Sequence, residues 1–289
     1  MACEITQHRV LTARANSAHD AADAVSVRTL PEGALAPGIT GNNLQRSGPV
    51  RDAIAQALAD INPHGQELTL VLPDSVIRVM LLDFDTLPEK QQDAAPLVRF
   101  RLKKLLPFDS DSAAVSYQIQ RSSTPIQVLA AVTQASVLQE YEALVGEAGF
   151  NAGVVLPSVL AALGRVDGNV PTLVVKAESG TMAVAIVDQG EVRLVRTIES
   201  VMPAAASPER LAEDIYPSLV YFQDTYGTQV QRILLGGTAA DQALRSALEQ
   251  QCGLQVTDLV GQAELPAGAS LDHLPRTAFA GVVGALVTQ

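Results

Sequence analysis

Residue types that could perform chemistry are few and widely spaced in this 289-residue sequence. The four histidines lie at positions 8, 19, 64 and 273, without an HExxH or HxxxH spacing, so no metal site is predicted. Asp83 with Asp85, and Asp109 with Asp111, could perform acid–base catalysis. Solvation at a strand end and helix capping explain these pairs better. No GxSxG motif is present, so a serine hydrolase is not predicted either.

One junction between a strand and a helix could bring backbone N–H groups close to a ligand. Residues 231–238 read QRILLGGT, in which Gly236 and Gly237 end a buried strand before a helix. Two glycines in this place allow close approach of a ligand, and they also suit an ordinary tight turn. The segment has no Lys-Ser or Lys-Thr pair, so it is not a P-loop.

The only cluster of basic residues consists of Arg99, Arg101, Lys103 and Lys104. Arg101 and Lys104 share one face of a helix because they are three residues apart. Such a cluster is typical of a solvated helix face. It would also suit an acidic peptide tail or a lipid headgroup surface, which attracts each charge by about 1 kcal/mol.

Composition and charge limit the possible partners. The chain has 20 basic and 31 acidic residues, a formal net charge of −11, 4% aromatic residues and no tryptophan. These values argue against non-specific nucleic-acid binding, which needs a basic face or stacking aromatics.

The two cysteines form no CxxC motif, which favours a reducing compartment. Residues 279–287 are too few to cross a bilayer, which takes ~20 residues, and the N-terminus lacks a signal-peptide pattern. We therefore expect a cytoplasmic protein that reaches a membrane only through a partner.

Hydrophobic periodicity divides the chain into two similar series of elements, with an extra segment inside the first. Strands are predicted at 8–15, 24–30, 67–72, 76–84, 113–120, 126–132, 151–156, 172–176, 181–187, 191–198, 231–235 and 254–257. Helices are predicted at 50–61, 88–106, 134–148, 157–163, 208–226, 239–251 and 275–287. The strands at 113–120 and 126–132 should form a hairpin through a turn at 121–125.

We predict an α/β fold made of two duplicated βββαβα domains. The first half covers residues 1–165 and includes a smaller α/β subdomain inserted at about 74–165, and the second half covers 166–289. This order of elements is typical of the actin-like, or ribonuclease-H-like, ATPase fold. The terminal segment 275–287 is rich in Ala, Val and Gly, which suits a packed helix.

A series of short motifs, spread over most of the chain, resembles the PilM family of type IV pilus assembly proteins. More distantly, it is similar to the cytoplasmic part of the secretion protein GspL and to the cell-division protein FtsA. The motifs are Leu30-Pro31-Glu32-Gly33, Leu72-Pro73 before Val76-Ile77, Leu87-Pro88-Glu89, Leu106-Pro107-Phe108, the strand Val128–Val132, Glu147-Ala148-Gly149-Phe150, and the series from Leu219 to Gly237.

The resemblance implies a nucleotide cleft, in which Gly236 and Gly237 would lie beside the nucleotide. Actin-like ATPases place an Asp-x-Gly loop after the first strand of each half, for Mg²⁺ and phosphate. Here the first place holds Glu4-Ile5-Thr6, and at the second Lys176 replaces the Asp and Glu178 the Gly. A lysine cannot hold Mg²⁺, and a carboxylate repels a triphosphate. We therefore expect a vestigial cleft with no catalysis, no metal and no cofactor, ATP with Mg²⁺ being disfavoured.

The resemblance also implies a function. Members of this family bind the cytoplasmic tail of the inner-membrane protein PilN, so we expect a scaffold of a pilus or type II secretion-like assembly platform. Arg99, Arg101 and Lys104 are the predicted contacts, in a groove between the first half and the insertion. The main alternative is an actin-like ATPase or sugar-kinase relative that still hydrolyses ATP. A self-assembling filament protein similar to FtsA is the third.

Overall fold

The computed structural model describes residues 1–120, 125–199, 207–269 and 271–287. The strands in these ranges are β1 Ala2–Ile5, β2 Arg9–Ala15, β3 Ala22–Thr29, β4 Glu67–Leu72, β5 Arg78–Phe84, β6 Ala113–Gln120, β7 Ile126–Gln134, β8 Asn151–Pro157, β9 Thr172–Glu178, β10 Thr181–Asp188, β11 Glu191–Glu199, β12 Arg232–Gly236 and β13 Val256–Asp258. The helices are α1 Ser47–Asp60, α2 Gln91–Leu102, α3 Ala135–Glu147, α4 Ser158–Ala162, α5 Pro208–Tyr226, α6 Gln242–Cys252 and α7 Ala280–Val287.

Local sequence signals set the ends of the two long helices of the second half. The Ser207 side chain caps α5 by accepting the N–H of Arg210 at 3.3 Å, and Asp241 caps α6 in the same way. Both helices end at a glycine in the left-handed region, Gly227 and Gly253, each with φ of 68°. These are the start and stop signals that helices prefer.

The two halves repeat one architecture. The first sheet has the order β3-β2-β1-β4-β8, and the second has β11-β10-β9-β12-β13. In chain order, the first three strands of each half are antiparallel to their neighbours. The first strand of each half, β1 or β9, pairs in parallel with the fourth, β4 or β12. Helices α1 and α3 pack on the first sheet, and α5 and α6 pack on the second. The predicted duplicated α/β fold is confirmed, and β1 and β9 occupy equivalent places.

A smaller third sheet has the order β5-β7-β6 and packs against β11 of the second half without joining its sheet. The predicted antiparallel hairpin of β6 and β7 is confirmed, although residues 121–124 of its turn lie outside the described residues. Helix α2 covers this sheet through Val98 and Leu102. The sheet and its helix span residues 78–134, which is less than the predicted insertion at 74–165. The end of that range includes β8, which pairs in parallel with β4 and so extends the first sheet.

Helices α4 and α7 fill the space between the two large sheets. Residues 280–286 of α7 are all buried, in a core that combines Val71 and Leu11 of the first half with Val174 and Leu234 of the second. The predicted terminal helix thus packs internally, although its first turn, residues 276–279, is a 3₁₀-helix. No helix within the described ranges combines the length and the apolar character that a membrane crossing requires.

Candidate functional site

A cavity of about 1060 Å³ lies between the two halves. Its walls come from the ends of β1 and β9, the loop after β4, the start of β5, and β11. Since β1 and β9 are equivalent strands of facing sheets, their side chains meet at this cavity. Its polar lining includes a group made of Glu4, Asp74, Ser158, Lys176 and Glu178, and also the charged residues Arg78, Arg196 and Glu199.

Lys176 is the cation at the centre of this group, and its side chain is fully buried. Its Nζ donates to Oε1 of Glu4 at 3.0 Å and to Oε1 of Glu178 at 2.6 Å. Burial alone would lower the pKa of Lys176, but Glu178, Glu4 and the nearby Asp74 outweigh it and raise this pKa above its ordinary value. Lys176 is therefore charged at neutral pH and joins the first strand of one half to that of the other.

The carboxylate of Glu4 is enclosed on its other sides. Ser158 Oγ donates to Glu4 Oε1, while Glu4 Oε2 is buried without a hydrogen-bond partner among the described residues. Gly281 of α7 packs so closely that a Cβ there would collide with this carboxylate. Burial raises the pKa of Glu4, and the ammonium of Lys176 opposes that shift. Glu4 is thus held by contacts from both halves.

Asp74 supplies a third buried carboxylate. Its Oδ1 accepts the backbone N–H of Val159 at 2.8 Å, at the start of α4. Burial raises the pKa of Asp74 from 3.8 to about 7, although Lys176 and the hydrogen bond from Val159 oppose the shift. This group therefore exchanges its proton near neutral pH, unlike an exposed aspartate.

Glu178 connects the cavity to the junction after β12, where Thr238 Oγ1 donates to Glu178 Oε2. Gly236 and Gly237 lie at this junction, but they are not among the residues that line the cavity. Gly237 has a φ of 102°, its N–H donates to the carbonyl of Thr277 at 2.7 Å, and a Cβ there would collide with the backbone of Ala177. This is the geometry of a tight turn, one of the two interpretations that the sequence left open. A role for the two glycines at a nucleotide stays a prediction.

The predicted contact residues Arg99, Arg101 and Lys104 do not line this cavity, and all three are exposed. Arg99 and Arg101 lie in α2, but Lys104 follows its end, so the predicted helix face shared by Arg101 and Lys104 is not formed. Arg99 donates to the carbonyl of Ala113 at 3.4 Å, whereas Arg101 and Lys104 make no ion pair with a described residue. Three apolar side chains beside them are also exposed: Leu97 by 45%, Phe100 by 69% and Leu105 by 47%. We call Leu97, Phe100, Arg101, Lys104 and Leu105 the α2 surface.

Comparison with solved structures finds this architecture in other proteins. One similar chain belongs to a PilM–PilN type IV pilus biogenesis complex, with a TM-score of 0.79 and 14% identity over 99% of this chain and 97% of that one. The cytoplasmic domain of EpsL, an inner-membrane component of the type II secretion system of Vibrio cholerae, gives a TM-score of 0.56 and 9% identity over 100% and 92%. A Bacteroides thetaiotaomicron protein with an actin-like ATPase fold gives 0.52 and 12% over 100% and 95%.

This chain has the actin-like ATPase fold. A scan of protein-family models and a search of curated proteins both find no match. Lys176 and Glu178 line the cavity between the halves. Their place in a vestigial nucleotide cleft stays a prediction. The ion pair of Lys176 with Glu4, and the contributions of Asp74 and Ser158, were not predicted. The hint in the sequence was that Glu4 and Lys176 end equivalent strands.

Proposed function

We propose that this protein is a non-catalytic scaffold of a type IV pilus or type II secretion-like assembly platform. In this role it lies in the cytoplasm and is held at the inner membrane by binding the cytoplasmic tail of a PilN-like protein. The observation that carries the proposal is the likeness, over nearly the full length of both chains, to a chain of the PilM–PilN complex. The likeness to the cytoplasmic domain of EpsL supports the same type of role.

The α2 surface supports binding of a peptide tail. Phe100 is 69% exposed, although aromatic side chains usually pack inward or contact partners. Arg101 and Lys104 add free positive charge next to it, in a protein whose net charge is −11. Arginine can bind peptide carbonyls and carboxylates through two parallel hydrogen bonds. An acidic and apolar tail segment therefore complements this surface.

The charges in the cavity support the absence of catalysis. The residues there do not fit Mg²⁺ with a triphosphate, because the ammonium of Lys176 occupies the space between Glu4 and Glu178. Both carboxylates already accept hydrogen bonds from protein groups. No three His, Cys, Asp or Glu residues of the described chain are arranged to hold a metal ion. Lys176 instead links Glu4 of the first half to Glu178 of the second half through its ammonium group.

An ATP-hydrolysing enzyme is the second candidate, and the size of the cavity is the observation that favours it. About 1060 Å³ is at the upper end of typical small-molecule sites. A nucleotide there would have to displace Lys176 from its two carboxylate partners, which makes this candidate the weaker one.

The test of the scaffold proposal is binding to synthetic cytoplasmic segments of the single-pass membrane proteins encoded beside this gene. We expect one segment to bind in a titration. The double variant Arg101→Ala, Lys104→Ala should weaken its affinity about 5- to 150-fold, because hydrogen bonds to charged groups contribute about 1–3 kcal/mol. Both side chains are exposed, so the melting temperature should not change.

The matched control is Arg51→Ala, which removes an exposed arginine from α1 in the first half. It should bind the segment like the unmodified protein. If no segment binds, the scaffold proposal is wrong. If a segment binds and the double variant binds it equally well, the function stands and the α2 surface is not its site.

A further inference from the structure

A second cavity, of about 430 Å³, continues the first one along β11. The two cavities share Val79, Met80, Val195 and Arg196. This second cavity lies between β5, β11 and α5, and we call it the edge groove. The residues that matter below are Val79, Leu81, Arg193, Arg196, Ser218 and Tyr221.

The edge groove is bordered by two strands at the edges of their sheets. β5 is the edge of the third sheet, and β11 is the edge of the second. The side chains of Val79 and Leu81 pack near Val195, but β5 and β11 do not pair through their backbones. Throughout the described ranges, no strand pairs with β11 on the side away from β10. An edge of this kind presents a row of N–H and C=O groups that can pair with another chain.

A side chain already shows that the outer edge of β11 accepts a pairing partner. The amide of Gln120 donates to the carbonyl of Val192 at 3.0 Å, and it accepts the N–H of the same residue at 2.9 Å. This is the pair of bonds that a neighbouring strand would form. These bonds of Gln120 are to Val192, and within the described ranges no strand pairs with residues 194–199 on this side.

The edge groove also contains polar groups whose hydrogen-bonding capacity is not used. Arg193 is 8% exposed and Ser218 is 3% exposed. Arg193 Nε and Ser218 Oγ both lack a hydrogen-bond partner among the described residues, which is rare for buried polar atoms. Arg196 is exposed and has no ion pair in the described part of the chain.

The acidic residues near the groove differ in their partners. Glu191 Oε2 lies 2.8 Å from an Nη atom of Arg193, and Asp83 accepts from Gln127 at 3.2 Å. Among the described residues, Asp83 also lines the groove and has no basic partner, while Arg196 is exposed without an ion pair and Arg193 Nε is a second free donor. A carboxylate fits these two groups, because guanidinium N–H groups bind carboxylates with strong, charge-assisted bonds.

We propose that the edge groove binds an extended segment of a partner protein, which adds to β11 as a strand and places an acidic side chain beside Arg196 and Arg193. Main-chain bonds to the edge supply affinity, and side-chain pockets supply specificity. Tyr221, which is 52% exposed, and the apolar Val79 and Leu81 contact the alternate side chains of the segment. The proposal does not depend on the α2 surface, which is a separate set of residues.

The probe is a displayed library of random twelve-residue peptides. The library is first depleted on the Arg196→Glu variant and then selected on the unmodified protein. We expect peptides with an acidic residue among alternating apolar residues to remain. Tyr221→Ala should weaken their binding at least fivefold, because Tyr221 lines the edge groove and not the larger cavity. The control variant Arg51→Glu changes an exposed arginine of α1 and should bind the peptides with the same affinity as the unmodified protein.

Backbone methylation of a selected peptide gives the sharper test. N-methyl groups at one set of alternate residues should abolish binding, because those N–H groups would pair with β11, whereas methyl groups at the other set should leave binding intact. The proposal is overturned if no peptide remains after depletion, if Tyr221→Ala binds equally well, or if the two methylation patterns have the same effect.

Discussion

Lys176, Glu4, Glu178 and Asp74 form a group of one buried cation and three carboxylates between the halves. A buried ion pair is weak evidence for stability, since the desolvation of both charges offsets their attraction. Here Thr238 satisfies the second oxygen of Glu178, whereas Ser158 donates to the same oxygen of Glu4 as Lys176 does, and Glu4 Oε2 has no hydrogen-bond partner among the described residues. At the scale of single residues, the cavity is therefore an electrostatic link between the halves whose charge depends on pH through Asp74.

The substitution Asp74→Asn tests this dependence. The pKa of Asp74 lies at about 7 in the native protein and near 3.8 in an exposed aspartate. Between these values the native protein keeps a proton that the unfolded chain has lost, so its stability falls as the pH rises through that window. Asparagine keeps the acceptor for Val159 and never ionises. Its free energy of unfolding relative to the unmodified protein should rise by about 2 kcal/mol from pH 5 to pH 8.

Urea unfolding at several pH values measures this difference. The exposed aspartate Asp85 supplies the control, and Asp85→Asn should show no comparable rise. A difference for Asp74→Asn that is flat between pH 5 and pH 8 would contradict the account of the buried carboxylate.

The sequence singled out Lys176 and Glu178 because a family resemblance implied a phosphate loop at this place, whereas in the structure both residues lie within β9. It could not give the ion pair with Glu4, since these residues are 172 positions apart in the chain. Their contact depends on how the two sheets face each other. Asp74 and Ser158 were missed for the same reason, because burial and charge come from neighbours that no local pattern encodes.

At the scale of elements, the sequence predicted most helices and strands well, because caps and glycines mark their ends. Helix α2 shows the limit. The sequence predicted a helix there but not its buried face, because Leu97 and Phe100 are exposed while Val98 and Leu102 are buried. Periodicity gives the spacing of a helical face, and only the surrounding sheet decides which face is covered.

The junction between β12 and α6 gives a prediction at this scale, Gly237→Ala. Two destabilising effects add in this variant. An alanine is strained at a φ of 102°, and its Cβ collides with the backbone of Ala177. We expect a loss of about 3 kcal/mol in the free energy of unfolding, in the range of strained backbone sites combined with overpacking. Thermal or urea unfolding gives the value.

Gly253→Ala separates the two effects. Gly253 has a φ of 68°, and nothing lies within 4 Å of the place where a Cβ would be. Its loss should be about 1 kcal/mol, which is the cost of the left-handed conformation alone. Equal losses in the two variants would show that the close approach to Ala177 has no energetic consequence.

At the scale of the whole molecule, the duplicated order of elements was sufficient to predict the fold. The extent of the insertion was less predictable. The chain forms the third sheet between β4 and β8, and β8 then pairs with β4 in the first sheet. The two halves also share one core around α7, in which Val71 and Val174 belong to different sheets. A shared core between the halves favours a molecule that holds one arrangement, which the proposed scaffold role would require.

The release of phosphate from Mg²⁺-ATP by the purified protein tests the central claim, that the cavity between the halves is not a catalytic site. Because Lys176 holds Glu4 and Glu178, we predict release no faster than in a protein-free blank. The Glu178→Gln variant, measured in parallel, separates activity of this cavity from that of a contaminating enzyme. Clear turnover by the unmodified protein that disappears in Glu178→Gln would contradict the account.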